Sequence, residues 1–480
     1  MENPPKINIL LNLPENYRHK AEYVFRNLLS ILGLNPQFSY DAQSEVVHIY
    51  YGTPSRHDYP VTIFYKEQTA AFFEDRKPYP KDEVNFREYR GDMIPFLFSK
   101  GGDIYGFSGQ KCSLNKDIIA GAFYFLSCWQ EYVHNPEPVT DGRVKYAESL
   151  QEQWNFVDMP VVDIYAQILE NAIKHSLPEF AGRGVFAGEN SFSLALSHDI
   201  DYWKFWSKFQ LLDTLKYNLK SFKKRPVNAA YKLLGHFIHK TLFYSHYRLL
   251  QNILKREEAM GANSTFFLMG KDDYPDQRQN YISDSKTQKE IVNLLADKDI
   301  GLHGSPEAAF DLDALKTEKQ KLEKLGLKPR GYRTHYLFFD YQKSFALLEK
   351  AGFDYDSTLG YWENIGFRCG TSFPFYPYNL EEDRAFNILE IPLVVMDTSL
   401  LSPKAMALNI HSAKIKVKKL LSKAGKYHSH ITLLWHNTNF DPVDFPLWGK
   451  LYWDTLKHAQ TQGAHLGSLS ESYAQWAIKQ

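Results

Sequence analysis

The chain has 480 residues, with 56 Lys and Arg against 56 Asp and Glu, and 15% aromatic residues, 31 Tyr and 33 Phe among them. Such a length exceeds one ordinary hydrophobic core and predicts two domains; the balanced charge excludes the global positive field of a nucleic-acid binder. Cys112, Cys128 and Cys369 lie far apart with no CxxC, which excludes a disulfide framework and a thiolate zinc site. The first residues, Met1-Glu2-Asn3-Pro4-Pro5-Lys6, offer neither a basic n-region nor an apolar h-region. The longest nearly apolar run, 118–129, is twelve residues and too short to span a bilayer. The expectation is a soluble cytoplasmic protein without a transmembrane segment.

Residues 1–182 read as one α/β domain. Runs 7–13 and 46–51 are apolar and strand-like, and 23–32 between them has helical spacing. Further short strands are expected at 61–65 and 94–98, followed by glycine turns at Gly101-Gly102 and Gly106. The strongest helix is expected from Asn115, as its cap, to about His134. Ile118, Ile119, Ala122, Phe123 and Leu126 form its apolar stripe, and Pro136 and Pro138 stop it. A second helix over 161–175 shows the same stripe. No dense cluster of metal ligands or reactive groups stands out, so a structural or recognition role is expected here. Three glycines within 180–190 mark the linker.

Residues 190–480 open on Phe192, Leu194 and Leu196, which alternate with small or polar residues as in a half-buried strand. Ser197-His198-Asp199-Ile200-Asp201 follows. Side chains at i and i+2 of an extended chain share a face, so Asp199 and Asp201 can reach one site. Two carboxylates that close repel unless a cation or a shared proton relieves them. Residues 202–243 read as a basic helical insertion rich in Trp, Tyr and Lys. It is either a solvated face or a surface that lines a substrate groove or makes peripheral contact with anionic lipid. From there on, helices at 245–260, 285–296, 312–325, 341–350 and 408–421 alternate with strands at 263–269, 299–303, 329–336, 388–396 and 430–436. That alternation predicts an α/β fold with a distorted (β/α) barrel of seven or eight strands, its chemistry at the carboxyl ends.

Polar, metal-capable residues stand at those ends in order. They are SHDID (197–201), HGSPE (303–307), YRTHY (332–336), DYDST (354–358) and LWH (434–436). A metal held by Asp and His with one open position would lower the pKa of bound water and polarise a carbonyl. On these five motifs, residues from about 190 to 475 resemble the polysaccharide deacetylases of carbohydrate esterase family 4. The first 180 residues resemble an uncharacterised domain that precedes deacetylase domains in some bacterial proteins.

The resemblance implies a distorted (β/α) barrel, a divalent metal, usually zinc, and removal of acetyl groups from an acetylated amino sugar or glycan. Residue by residue, Asp199 matches the general base, Asp201 and His303 match metal ligands, and Arg333 would hold Asp199 charged and oriented. The backbone N–H of Tyr336 matches the oxyanion donor, and His436 the acid for the leaving amine. Asp397 stands on the substrate side as a residue that could orient His436. The family's second histidine, four residues after the first, is Glu307 here, while His335 is an extra imidazole past Arg333. Either can supply the third ligand. The aromatic segment 366–375 is an ordered loop or a sugar-stacking rim, with Arg368 pairing to an anionic substituent. A degraded site would leave a non-catalytic carbohydrate-binding protein, the alternative reading.

Overall fold

The computed structural model describes residues 4–477, apart from 42–45, 54–57, 100, 135–143, 185–191, nearly all of 204–245, 277 and 443. Most of the linker at 180–190, and the basic insertion beyond Trp203, therefore lie outside the described residues.

The N-terminal strands are β1 (Lys6–Asn12), β2 (Asn35–Ser39), β3 (Ile49–Gly52), β4 (Val61–Phe64), β5 (Asn85–Tyr89), β6 (Asp92–Phe96), β7 (Tyr105–Ser108) and β8 (Lys111–Leu114). Six of them form a sheet in the order β2-β1-β3-β4-β8-β7, parallel except for the β7–β8 pair, while β5 and β6 pair as a separate hairpin. Ile7, Ile9 and Leu11 of β1 are wholly buried at alternate positions, beneath the helices Glu15–Ile31 and Val161–Ser176. The long helix expected from Asn115 is capped instead by Asp117, whose carboxylate accepts from the Ala120 N–H at 3.0 Å. It divides into Ile118–Leu126 and Trp129–His134, because Cys128 adopts a left-handed φ of 48° that α-helix cannot continue through.

The C-terminal strands are β9 (Phe192–Ile200), β10 (Thr265–Met269), β11 (Asp299–Gly304), β12 (Gly331–Thr334), β13 (Tyr355–Asp356), β14 (Tyr378–Asn379), β15 (Arg384–Ala385), β16 (Leu389–Glu390), β17 (Leu393–Met396), β18 (His430–Leu434) and β19 (Ala464–Ser468). Eight pair in parallel in the order β16-β13-β12-β11-β10-β9-β18-β17, and β19 adds to the first half of β9. The path ends in β16 and β17, which do not pair, so this is a curled (β/α) half-barrel open along one seam. The strand expected at 388–396 divides at Ile391-Pro392, where proline has no N–H to continue a ladder. The sequence pattern missed β19 and its flanking helices Trp448–Thr461 and Leu469–Ala477; β19 carries one large apolar residue, Leu466. Among the described residues no helix is long and apolar enough to cross a membrane.

The N-terminal region seats itself on segment 360–378, and buried residues from both form one hydrophobic core. Gly366 and Gly370 both have positive φ; a Cβ there would meet the Val157 carbonyl at 2.3 Å and the Phe125 ring at 2.9 Å, so only glycine lets the backbones approach. Asp163 accepts from the hydroxyls of Thr371 and Ser372. The Tyr341 hydroxyl donates to Leu126 O at 2.7 Å, and Cys128 Sγ lies 3.7 Å from Cys369 Sγ.

Arg368 corrects the sequence reading. It is not a substrate rim: it is 4% exposed and donates from Nε and Nη2 to Glu131, both at 2.8 Å, and from Nη1 to Gly360 O at 3.1 Å. The aromatic, turn-rich segment is buried because the N-terminal region covers it. Arg368→Ala would leave Glu131 buried without its counter-charge, so the expected loss is about 3–5 kcal/mol of unfolding free energy. Urea denaturation reads it, and Arg368→Met combined with Glu131→Leu should lose less than Arg368→Ala alone.

Candidate functional site

Strand parity builds the site. Along the end of β9, Ser197 and Asp199 face the barrel interior and Asp201 continues that face, while His198 faces the helical layer. His198 is spent structurally: Nδ1 lies 2.7 Å from Trp435 O and Nε2 2.9 Å from Glu257 Oε1, and the Tyr452 hydroxyl also bonds Glu257. Arg333 on β12 reaches across the interior. Its Nη1 donates to Asp199 Oδ1 and to Ser197 Oγ, both at 2.9 Å, while Nε and Nη2 donate to Ser357 O at 2.8 Å and Ser357 Oγ at 2.9 Å. The Phe267 ring lies 4.3 Å from its guanidinium carbon. Burial alone would raise the pKa of Asp199, but the positive charges of His303, Arg333 and His436 outweigh it and hold the carboxyl below its usual range.

Beside this pair stand Asp201, His303 and His335. One candidate ligand atom from each lies within 4.8 Å of the others. His303 Nδ1 donates to Arg333 O at 3.0 Å, which turns Nε2 toward Asp201 Oδ1, 3.2 Å away. Buried Asp201 Oδ1, His303 Nε2 and His335 Nδ1 have no hydrogen-bond partner. Orphaned buried polar atoms cost free energy unless a ligand meets them. Two imidazoles and one carboxylate are also a common donor set for a catalytic zinc site with an open position. Burial pushes His335 down to about 4, against the raising effect of Asp201, so its ring is a neutral donor. The Tyr336 ring stacks on it with centroids 3.7 Å apart.

Glu307 is not brought into this group. Its carboxylate is 60% exposed and pairs with Lys271. The strand β11 ends at Gly304, and Glu318 grips the Ser305 N–H and hydroxyl, so the following turn carries Glu307 outward. Of the two candidates for a third ligand, only His335 lies with Asp201 and His303.

His436 follows β18. Its Nδ1 lies 2.6 Å from Asp397 Oδ1, and its N–H donates to Asp397 Oδ2 at 2.7 Å, where Asn439 Nδ2 also donates at 2.7 Å. Asp397 is wholly buried with its oxygens engaged, so it orients His436 and offers nothing to a substrate, which corrects the substrate-side expectation. Burial lowers the pKa of His436, but Asp397, with Asp201 and Asp199, raises it to about 10. Nε2 lies 3.8 Å from Asp201 Oδ2. Tyr336 is 52% exposed at the rim, with φ of 64°. Leu337, Met396 and Leu434, neighbours of Tyr336, Asp397 and Trp435, cluster with Leu393 and Trp362 as an apolar wall.

Ser197, Ser357 and Glu390 were not expected as site residues. Ser197 shares the parity of Asp199, a signal the sequence held. Ser357 and Glu390 become visible only through strand register, where Glu390 pairs with Asp356. Burial raises the pKa of both carboxyls and outweighs the effect of each on the other.

Residues 9–178 match the model of DUF7033, a family of unknown function. Among solved structures the chain is similar to a "putative polysaccharide deacetylase from Mycobacterium smegmatis", at 16% identity over 61% of this chain and 93% of that one, TM-score 0.40. It is also similar to a "probable Polysaccharide deacetylase from Pseudomonas aeruginosa PAO1", at 11% identity over 61% of this chain and 93% of that one, TM-score 0.41. A search of the curated proteins found no match.

The orphaned donors set an expected outcome for thermal or urea denaturation with added zinc. An ion at about one hundred times its dissociation constant adds about 2.7 kcal/mol of stability. Glu307→Ala should keep that gain and His335→Ala should lose most of it. The reverse pattern would restore the carboxylate ligand and remove the imidazole.

Proposed function

We propose that this protein is a metal-dependent hydrolase that removes an acetyl group from an N-acetylated sugar or glycan precursor. The observation that supports the reading is the buried cluster of Asp201, His303 and His335, whose ligand-capable atoms lie within 4.8 Å of one another, set between the Asp199–Arg333 pair and the His436–Asp397 pair. A divalent ion, with zinc fitting the donor set, supplies Lewis-acid polarisation of the acetyl carbonyl and acidifies water when bound. Asp199, kept ionised by Arg333, accepts the proton of the attacking water. The backbone N–H of Tyr336 donates to the oxyanion as the carbonyl carbon becomes tetrahedral, a contact worth roughly 2.7–4 kcal/mol where measured in other enzymes. His436, held as an imidazolium by Asp397, protonates the leaving amine nitrogen as the C–N bond breaks. Acetate and a free amino sugar result. The apolar wall of Leu337, Met396, Leu434 and Trp362 suits a methyl group and excludes water from it.

Acetate release from a panel of N-acetylated sugars and nucleotide- or lipid-linked glycans, with metal content measured alongside, tests the reading. Asp199→Asn should keep the metal and abolish turnover. Asp201→Asn should lose both. His436→Ala should keep the metal and slow acetate release by about 10²–10⁴-fold, the usual worth of general acid help. Glycan binding with stoichiometric metal but no acetate from any substrate would favour the carbohydrate-binding alternative. If neither aspartate change alters metal or turnover, the acidic strand end is not the site.

A further inference from the structure

A groove of about 410 Å³ runs between the helices His246–Glu258 and Trp448–Thr461, on the outside of the half-barrel. Its floor is buried and apolar, formed by Ile253, Phe440 and Trp453. The rim is apolar too: Leu447 is 57% exposed and holds a left-handed φ of 72°, a conformation that bulky residues rarely adopt. Leu447 also opens the helix Trp448–Thr461, but its exposed side chain beside an apolar floor marks a surface that a partner can cover.

The charges around the groove say what kind of partner. Arg256 and Lys450 line it, and among the described residues no acidic one does. The Arg256 guanidinium lies over the Trp453 ring at 4.3 Å, and among the described residues no carboxylate pairs with it. Lys450 shares Asp454 with Lys414, which leaves that cluster net positive. The sequence that leads directly into the helix His246–Glu258 carries the same sign. Residues 204–245 hold nine Lys and Arg, one Asp and nine aromatics, leaving 47 basic against 55 acidic residues elsewhere. Nearly all of those residues lie outside the described ones, and only their composition bears on the occupant. An apolar trough rimmed by Arg256 and by the net positive Lys450 cluster fits an aliphatic chain joined to an anionic head.

We propose that this groove docks the protein onto an anionic lipid bilayer, with Leu447 entering the acyl region and Arg256 and Lys450 against lipid phosphates. The inference is independent of the proposed hydrolysis, but the geometry links the two. Phe440 of the groove ends the turn Asn437–Phe440 that follows His436, and Asn437 Nδ2 donates to Tyr202 O beside Asp201 at 2.8 Å. A docked groove would hold the site against the membrane, where a lipid-linked glycan is presented.

The test is sedimentation of the full chain with vesicles of phosphatidylcholine alone or mixed with phosphatidylglycerol. The protein should sediment with the mixed vesicles, stay in solution with the neutral ones, and release in high salt. Arg256→Glu and Leu447→Asp, both at exposed positions, should each weaken vesicle affinity at least about tenfold, with unchanged circular dichroism melts. Full sedimentation of both variants would overturn the proposal, because the bilayer would then be held elsewhere. Failure of the unaltered chain to sediment, or equal binding to neutral vesicles, would overturn it as well. Sedimentation of the unaltered chain abolished by RNA, with Leu447→Asp still bound as tightly, would show a polyanion surface instead.

Discussion

A guanidinium without solvent is stable only when its N–H groups find acceptors and its charge finds an anion, and Arg333 meets both conditions inside the half-barrel. Its four hydrogen bonds reach Ser197 and Asp199 on β9 and Ser357 just past β13. They tie together strands that are not neighbours, since β10 and β11 lie between β9 and β12. The carbonyl of Arg333 also receives His303 Nδ1–H. One residue thereby helps His303 and His436 to hold Asp199 ionised and fixes His303 Nδ1 as a donor. Beneath it, Asp356 accepts from the Thr358 hydroxyl and N–H, and Thr358 Oγ1 accepts from the Thr334 N–H at 3.1 Å. That chain of bonds fixes the end of β12, where Arg333 sits and after which His335 follows.

The N-terminal region serves the same site at one remove. Segment 360–378 leaves the barrel between β13 and β16 and is gripped by Glu131, Gln151 and Asp163. At its start, Tyr146 donates its N–H to Glu363 Oε2 at 3.2 Å and sets its ring against Tyr361, with centroids 5.0 Å apart. Trp362, between those two residues, belongs to the apolar wall beside Tyr336 and Asp397. A half-barrel whose path is open between β16 and β17 has no closing strand there to brace such a wall. The brace comes from outside the barrel, from the N-terminal region.

How much of this the sequence could tell depends on how local each determinant is. Strand parity placed Asp199 and Asp201 together, and the order of strand ends grouped them with His303, Arg333 and His436. The β-strand and helix alternation was visible because each element is a run of ten or so residues with its own period. Arg368 was misread because its partner, Glu131, lies 237 residues away and its burial depends on the docking of another region. A loop rich in aromatics and glycines looks the same whether it faces sugar or a second core. Of the serines that hold Arg333, Ser197 shares the parity of Asp199, but Ser357 escapes a sequence reading for a related reason. Ser357 is reached across strand register, which no single-strand pattern contains.

Glu307 and His335 show the same limit within one site, and why geometry chooses the imidazole. Glu307 carries the sequence spacing of a second ligand, but that spacing matters only if the chain after β11 continues as a helical turn facing the interior. Ser305 prevents it, because Glu318 binds both its N–H and its hydroxyl and turns the chain outward. His335 stands two residues past Arg333, the same parity relation as Asp201 to Asp199. The left-handed backbone at Tyr336 and Leu337, with φ of 64° and 56°, then reverses the chain at once, so His335 stays at the strand end with its ring pinned by Tyr336 and Tyr274. Two adjacent bulky residues in that region store strain that the surroundings must hold in place. The strain falls beside His335, so the turn rather than the motif spacing decides which of the two candidates stands with Asp201 and His303.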